Sequence, residues 1–368
     1  MYIDIIAGAR PNFMKIAPII DSIEFYKNNG TNIDYRLIHT GQHYDQKMSG
    51  SFFNELNIPQ PNVNLEVGSG TQAEQTAKIM IEYEKILISD PSSLCLVVGD
   101  VTSTMACAIT AKKMQIKVAH VEAGIRSGDL SMPEEINRLL TDSITDYFFT
   151  TSEFANSNLL KNGVENNKIF FVGNTMIDTL LKNKERFKKP EFWDKLKLES
   201  GNYLVLTLHR PSNVDSFLNL SFLINEIIQN TKFKKIIFPV HPRTLKNLKQ
   251  IVDRYENLFI TEPMSYLEFN YLVSKSMAVI TDSGGITEET TVMGIPCFTL
   301  RDSTERPETC IMGTNELIGT DPKNLKVYFE KLFNGNWKKG KIPPMWDGNT
   351  GKRIVEKLVQ IFTKEILQ

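Results

Sequence analysis

The sequence predicts a two-domain α/β protein, each domain formed around a parallel β-sheet. Three observations carry that expectation. At 368 residues the chain exceeds what one ordinary hydrophobic core supports. Short β-branched runs alternate with amphipathic stretches along almost its whole length, the rhythm of successive strand–helix–strand units. The strand-like runs are unbroken rather than alternating, as in strands buried on both faces of a sheet.

In the first half, strands are expected at Tyr2–Ile6, Tyr35–His39, Leu94–Val98, Val118–Val121 and Tyr147–Thr150, with helices at Phe13–Tyr26, Thr104–Met114 and Pro133–Ile144. The second half repeats the rhythm with strands at Tyr203–Leu208, Lys235–Pro239, Ala278–Thr281 and Pro296–Leu300. A charged, helical segment from Thr175 to Asn202 lies between the two series and is the expected linker region. Near the C-terminus, Ile354, Leu358, Ile361 and Phe362 form one apolar stripe, so the tail reads as a helix that packs on structure already formed. The resulting division is 1–177, 178–350 and a terminal helix 351–368.

Composition limits the partners. With 41% hydrophobic and 23% charged residues the chain is ordinary for a folded protein, and its net charge of −1 lacks the basic excess of a nucleic-acid binder. Acids interrupt the lysines between Lys182 and Lys197, as on a solvated surface. Cys95, Cys107, Cys297 and Cys310 form no CxxC pair and no zinc spacing, so a reduced compartment and no metal are expected. The chain enters a strand at once, without the basic region of a signal peptide, and no apolar run approaches the roughly 18 residues that span a bilayer. A cytoplasmic protein without a membrane partner follows.

Open α/β sheets bind ligands beyond the carboxyl ends of their strands, and here those positions are rich in charge. Gly8-Ala9-Arg10-Pro11 follows the first strand. Small residues permit close backbone approach, Arg10 offers a forked cation for phosphate, and Lys15 lies one turn further on. Neither the GxGxxG of a dinucleotide site nor the GKS/T of a P-loop is present, so no NAD or ATP chemistry and no cofactor are expected. Val98-Gly99-Asp100 puts Asp100 beyond a buried strand, where a helix-capping role explains it equally well. His120-Val121-Glu122-Ala123-Gly124-Ile125-Arg126 puts Glu122 at a strand end, where burial demands a partner or a function. In Met132–Arg138 the helix dipole alone explains one of Glu134 and Glu135. Asp100 and Glu122 converging from neighbouring strand ends, with one of the two glutamates as a third acid, suit proton transfer.

The second half supplies Thr207–Asn213 and His241-Pro242-Arg243, each with a histidine and an arginine where an anion could be met. His209 with Arg210 is the stronger pair, because a plain loop role explains His241 as well. The most informative stretch is Thr281-Asp282-Ser283-Gly284-Gly285-Ile286-Thr287-Glu288-Glu289. A strand ends, two glycines bare the backbone, and a helix begins whose free N–H groups suit a diphosphate. A carboxylate one turn in suits a ribose diol. Arg301–Glu308 adds further charges. Together these features point to a nucleotide-diphosphate sugar held in a cleft between two domains.

The blocks GARPNFMKIAP, TGQHYD, VVGDVTST, HVEAGIRS, MPEEINRLLTD, TLHRPSN, FPVHPRT, TDSGGITEET and RDSTERPE occur in that order over nearly the full length. In them the chain resembles the non-hydrolysing UDP-N-acetylglucosamine 2-epimerases. The resemblance implies the GT-B fold, two Rossmann-like domains facing a central cleft, and a homodimer. It implies catalytic roles for Asp100, Glu122 and Glu134, with His209 near the pyrophosphate. UDP contacts are implied for Arg10, Ser283, Gly284, Gly285, Glu289 and Arg306, with Phe269 against the uracil; Lys15 and Arg210 are added from their places in the motifs. The implied reaction removes the C2 proton, expels UDP to leave a 2-acetamidoglucal, and returns UDP with a proton delivered to the opposite face. Ser212 stands where many members have glutamate. Thr71 replaces an arginine of members with an allosteric substrate site, to which Gln42 and His241 would belong, so weak or absent activation by substrate is expected. The same motifs leave open a hydrolysing 2-epimerase releasing N-acetylmannosamine and UDP, an epimerase of UDP-2,3-diacetamido-glucuronic acid type, and a GT-B glycosyltransferase.

Overall fold

The computed structural model describes residues 1–41, 55–214, 216–240, 248 and 254–366. The chain divides into two compact units, Met1–Lys182 with Pro344–Gln368, and Asn183–Pro343. The first unit contains seven parallel strands: β1 (Tyr2–Ala7), β2 (Asp34–His39), β3 (Val63–Asn64), β4 (Leu94–Val98), β5 (Lys117–Val121), β6 (Tyr147–Thr150) and β7 (Ile169–Phe171). Their order in the sheet is β3-β2-β1-β4-β5-β6-β7, so the direction of winding reverses between β1 and β4. The second unit contains six: β8 (Tyr203–Thr207), β9 (Lys235–Pro239), β10 (Leu258–Thr261), β11 (Ala278–Thr281), β12 (Cys297–Thr299) and β13 (Asn315–Leu317). Here the order is β10-β9-β8-β11-β12-β13, and the reversal falls between β8 and β11.

Every residue of β4 and β11 is buried, which is why both read so clearly in the sequence. Four strands, β3, β7, β10 and β13, have no counterpart among the strands expected from the sequence. Each is two to four residues long and carries partly exposed positions, so none forms a long apolar run. The helices expected at Phe13–Tyr26 and Thr104–Met114 form as Arg10–Asn28 and Thr102–Lys113, and Pro133–Ile144 forms as expected.

The last helix, Thr350–Ile366, belongs to the first unit and packs on the helix Arg10–Asn28. Ile354 and Leu358 of the expected stripe are fully buried. The docking rests on Pro18 inside the first helix, which has no N–H to give to the Met14 carbonyl. Thr179 donates its hydroxyl to that carbonyl instead, at 2.6 Å. On the same turn, Gly351 approaches Pro18 so closely that a Cβ would stand 2.3 Å from the Pro18 carbonyl oxygen. Asp178 accepts the Gly351 N–H at 2.8 Å, and burial pushes its carboxyl up to about 6 against these hydrogen bonds. Among the described residues no helix is long and apolar enough to cross a membrane.

Candidate active site

In the first unit the polar groups gather where the winding reverses. Asn12 ties the two sides together: its Oδ1 accepts the N–H groups of Gly8 (3.1 Å) and Ala9 (2.9 Å), and its Nδ2 donates to the Val98 carbonyl (3.1 Å). Lys15, one turn further along the same helix, reaches Glu122 at the end of β5, with Nζ 2.6 Å from Oε2. Glu122 is buried and adopts a left-handed backbone, φ 69°, which a residue with a side chain holds only when its surroundings enforce it. Those surroundings are legible. Gly124, also at positive φ (78°), lies where a Cβ would meet the Ala155 carbonyl oxygen at 2.4 Å. The Gly124 N–H donates to Asp142, and its carbonyl accepts from Asn158.

Asp142 also receives His120 Nδ1 at 2.7 Å and Arg126 at 2.7 Å, while His120 Nε2 lies 2.8 Å from the Gly99 carbonyl. Burial alone would raise the Asp142 carboxyl; the His120 and Arg126 partners hold it below the usual range. This network fixes the backbone immediately before Asp100. Asp100 itself accepts Arg138 Nε at 3.0 Å and Nη2 at 2.5 Å, and its carbonyl accepts Asn137 Nδ2 at 2.8 Å.

The adjacent glutamates of the helix Pro133–Ile144 separate cleanly. Glu135 is buried and accepts Arg138, Ser127 and the Gly128 N–H, so it shapes the loop before the helix. Burial tends to raise its carboxyl, and those donors together hold it lowered. Glu134 is exposed and forms no ion pair among the described residues. It stands three and four positions before Asn137 and Arg138, on the helix face that reaches Asp100. Arg10 is the first residue of its helix.

In the second unit the reversal between β8 and β11 is closed by one carboxylate. Asp282 is fully buried and accepts the Arg210 N–H at 3.0 Å and Asn213 Nδ2 at 2.9 Å. His209 Nδ1 lies 2.7 Å from its Oδ1, while the His209 side chain remains 62% exposed. Burial would raise the Asp282 carboxyl, but the bonds from His209, Asn213 and Arg210 keep it below the ordinary value. Ser283 precedes the helix Gly284–Met293 and makes no side-chain cap, so the first N–H groups of that helix have no partner from it. Glu289, buried one turn in, accepts Tyr266 Oη at 2.8 Å. Burial pushes its carboxyl up to about 7, against hydrogen bonds from Tyr266 and Asn270. Phe269 lies one turn after Tyr266 and packs on the core cluster that includes Tyr203 and Val205. Arg306 pairs with buried Glu288 at 2.7 Å.

Gln42 and His241 lie outside the described residues. Thr71 caps the helix Gln72–Ser89, with its hydroxyl accepting the Glu74 N–H and its own N–H donating to Glu74. Asp282, Arg138 and Asn12 do not stand out in the sequence, although each lies inside one of the quoted blocks. The only available signal was that an acid directly beyond a buried strand needs donors.

Two parallel-sheet units, each with a polar cluster at the carboxyl ends of its strands, define an α/β protein of the GT-B class. The family model described as UDP-N-acetylglucosamine 2-epimerase matches residues 27–359, and the chain belongs to that family. It is 44% identical over 371 residues to the UDP-N-acetylglucosamine 2-epimerase of Methanocaldococcus jannaschii, covering 97% of this chain and 99% of that protein. A crystal structure of the M. jannaschii enzyme in complex with UDP-GlcNAc and UDP superposes with a TM-score of 0.86 at 43% identity, covering 98% and 100% of the two chains. The UDP-2,3-diacetamido-2,3-dideoxy-D-glucuronate 2-epimerase of Pseudomonas aeruginosa is 37% identical over 320 residues, 85% of this chain and 87% of that protein.

Proposed function

We propose that this chain interconverts UDP-GlcNAc and UDP-ManNAc in the cytoplasm without hydrolysis, supplying a precursor of cell-envelope polysaccharide. The observation that carries the reading is the unlike chemistry of the two strand-order reversals. One unit presents Asp100 and Glu122 on positioned strand ends, and the other presents an uncapped, glycine-bared helix start beside His209. The first suits proton transfer and the second suits a diphosphate.

In this reading a carboxylate among Asp100, Glu122 and Glu134 takes the C2 proton. The C1–O bond to UDP breaks, its electron pair leaves on the β-phosphate, and a C1=C2 double bond remains in a 2-acetamidoglucal. UDP then adds back at C1 while a second acid protonates the opposite face of C2. A C2–H is a weak acid, so the departing charge has to be met by donors placed in advance. Ser283–Gly285, His209, Arg210, Arg10 and Arg306 are assigned that task, Glu289 the ribose hydroxyls and Phe269 the uracil. Lys15, paired with Glu122, is also assigned to the substrate. A homodimer is part of the reading; Ile136, Leu139 and Leu140 form an exposed apolar face on one helix, with Leu160 exposed on the next.

Incubation with UDP-GlcNAc in D₂O tests the mechanism. Deuterium at C2 of both recovered epimers is expected, and turnover without deuterium would overturn it. Free N-acetylmannosamine accumulating one for one with UDP would instead make the chain a hydrolysing epimerase. The Pseudomonas relative motivates one alternative substrate, UDP-2,3-diacetamido-glucuronic acid; faster turnover of that sugar than of UDP-GlcNAc would transfer the reading to it.

A further inference from the structure

Resting on the UDP-sugar reading, we propose that Arg301, which no role above includes, is a buried anchor for the diphosphate at the start of the helix Gly284–Met293. Arg301 follows β12, and its side chain is only 4% exposed. One arm of the guanidinium is fixed: Nη2 donates to Glu305 Oε2 at 2.6 Å. The other, Nη1, is buried without a hydrogen-bond partner among the described residues. A charged N–H enclosed in this way is costly unless an acceptor reaches it.

The unsatisfied arm points to a particular place. A Cβ on Gly284, the first residue of the helix, would stand 3.7 Å from Arg301 Nη1 and 2.6 Å from Glu305 Oε1. Any side chain there would intrude on the pair, whereas a Cβ on Gly285 would meet nothing within 4 Å among the described residues. The helix start therefore offers backbone N–H groups without a side-chain cap, open space at Gly285, and a buried guanidinium nitrogen beside Gly284. That combination suits a pyrophosphoryl oxygen.

Glu305 keeps the cation in place. Burial would raise its carboxyl, but the Arg301 bond and the charges of Arg301 and Arg306 hold it at about 2. The pair is thus ionised, and Glu305 occupies only one edge of the guanidinium. Arg306 is likewise paired with an acid, its Nε lying 2.7 Å from Glu288.

Affinities of the full chain for UDP and for uridine, measured by calorimetry, test the assignment. Arg301→Gln is expected to weaken UDP about ten- to a hundred-fold, the range of a charge-assisted hydrogen bond, and to leave uridine unchanged. Because that substitution leaves Glu305 without its cation, the double variant Arg301→Gln with Glu305→Gln is measured beside it. The same selective loss of UDP in the double variant supports the anchor. Equal losses for UDP and uridine, or wild-type UDP affinity in the double variant, would overturn it and make Arg301 a structural residue. A wild-type chain that binds UDP no more tightly than uridine would sink the UDP-sugar reading itself.

Discussion

At the β1/β4 reversal of the first unit, carboxylates are held by cations that arrive from far along the chain: Lys15 on Glu122 and Arg138 on Asp100. At the β8/β11 reversal of the second unit, a buried carboxylate is turned inward. Asp282 gathers two backbone N–H groups, Asn213 and the His209 ring, and leaves that ring largely exposed. The same winding pattern therefore frames anionic groups in one unit and donor groups in the other. Strand order fixes where a site forms; the sign of the charges that follow the strands decides what it receives.

The largest expected effect breaks this comparison at its acid side. Asp100→Asn should lower turnover by about 10²–10⁴-fold while UDP binds as before, because in the proposed reaction the acid acts on the sugar and not on the nucleotide. Near-normal turnover would remove Asp100 from the reaction. A parallel loss of UDP affinity would show that the two units do not divide the work. On the other side, Asp282→Ala leaves the Arg210 N–H and Asn213 without their shared acceptor. We expect a loss of about 2–4 kcal/mol in urea unfolding, together with weaker UDP binding. A variant as stable as the parent would mean that another group holds the His209 loop.

A subtler comparison lies in the titration of Glu289. Its carboxyl stands at about 7 in the folded chain, above the 4.5 of an unburied glutamate, so the folded state binds the proton more tightly between those values. Stability from this group is therefore greatest below about 4.5 and declines as pH rises through 7, by about 3 kcal/mol at most. Glu289→Gln should flatten the stability profile over that window. UDP affinity should change in the opposite sense, rising through pH 7 as the carboxylate becomes a pure acceptor for the ribose hydroxyls it is proposed to bind. An unchanged stability slope in the variant would place the titration elsewhere; Asp178, at about 6, is the control to substitute next.

Much of the fold is legible in the chain because both sheets are buried on their two faces, which turns strands such as Leu94–Val98 and Ala278–Thr281 into unbroken apolar runs. The short, partly exposed edge strands β3, β7, β10 and β13 carry no such run. The candidate site is legible as polar clusters after strands, but not as pairs. Lys15 and Glu122 are 107 positions apart, Arg138 and Asp100 are 38, and His209 and Asp282 are 73. No local spacing encodes these partners, because strand order brings them together. The resolution of Glu134 from Glu135 has the same origin: the two are neighbours in sequence, and only the burial of one and exposure of the other separate their roles.

The smallest effect concerns a residue remote in kind from both reversals. Thr71 caps the helix Gln72–Ser89 through a reciprocal bond with Glu74, and the region is exposed. Thr71→Ala should cost about 1 kcal/mol, the usual loss for an N-cap, and leave turnover and the shape of the velocity curve unchanged. The curve against UDP-GlcNAc should be hyperbolic in the parent and in the variant alike. Sigmoidal kinetics in the parent that the substitution abolishes would give Thr71 a part in communication between substrates. A cap that merely closes a helix cannot do that, since a lost N-cap bond acts on folding stability and not on the relative affinities of two bound states.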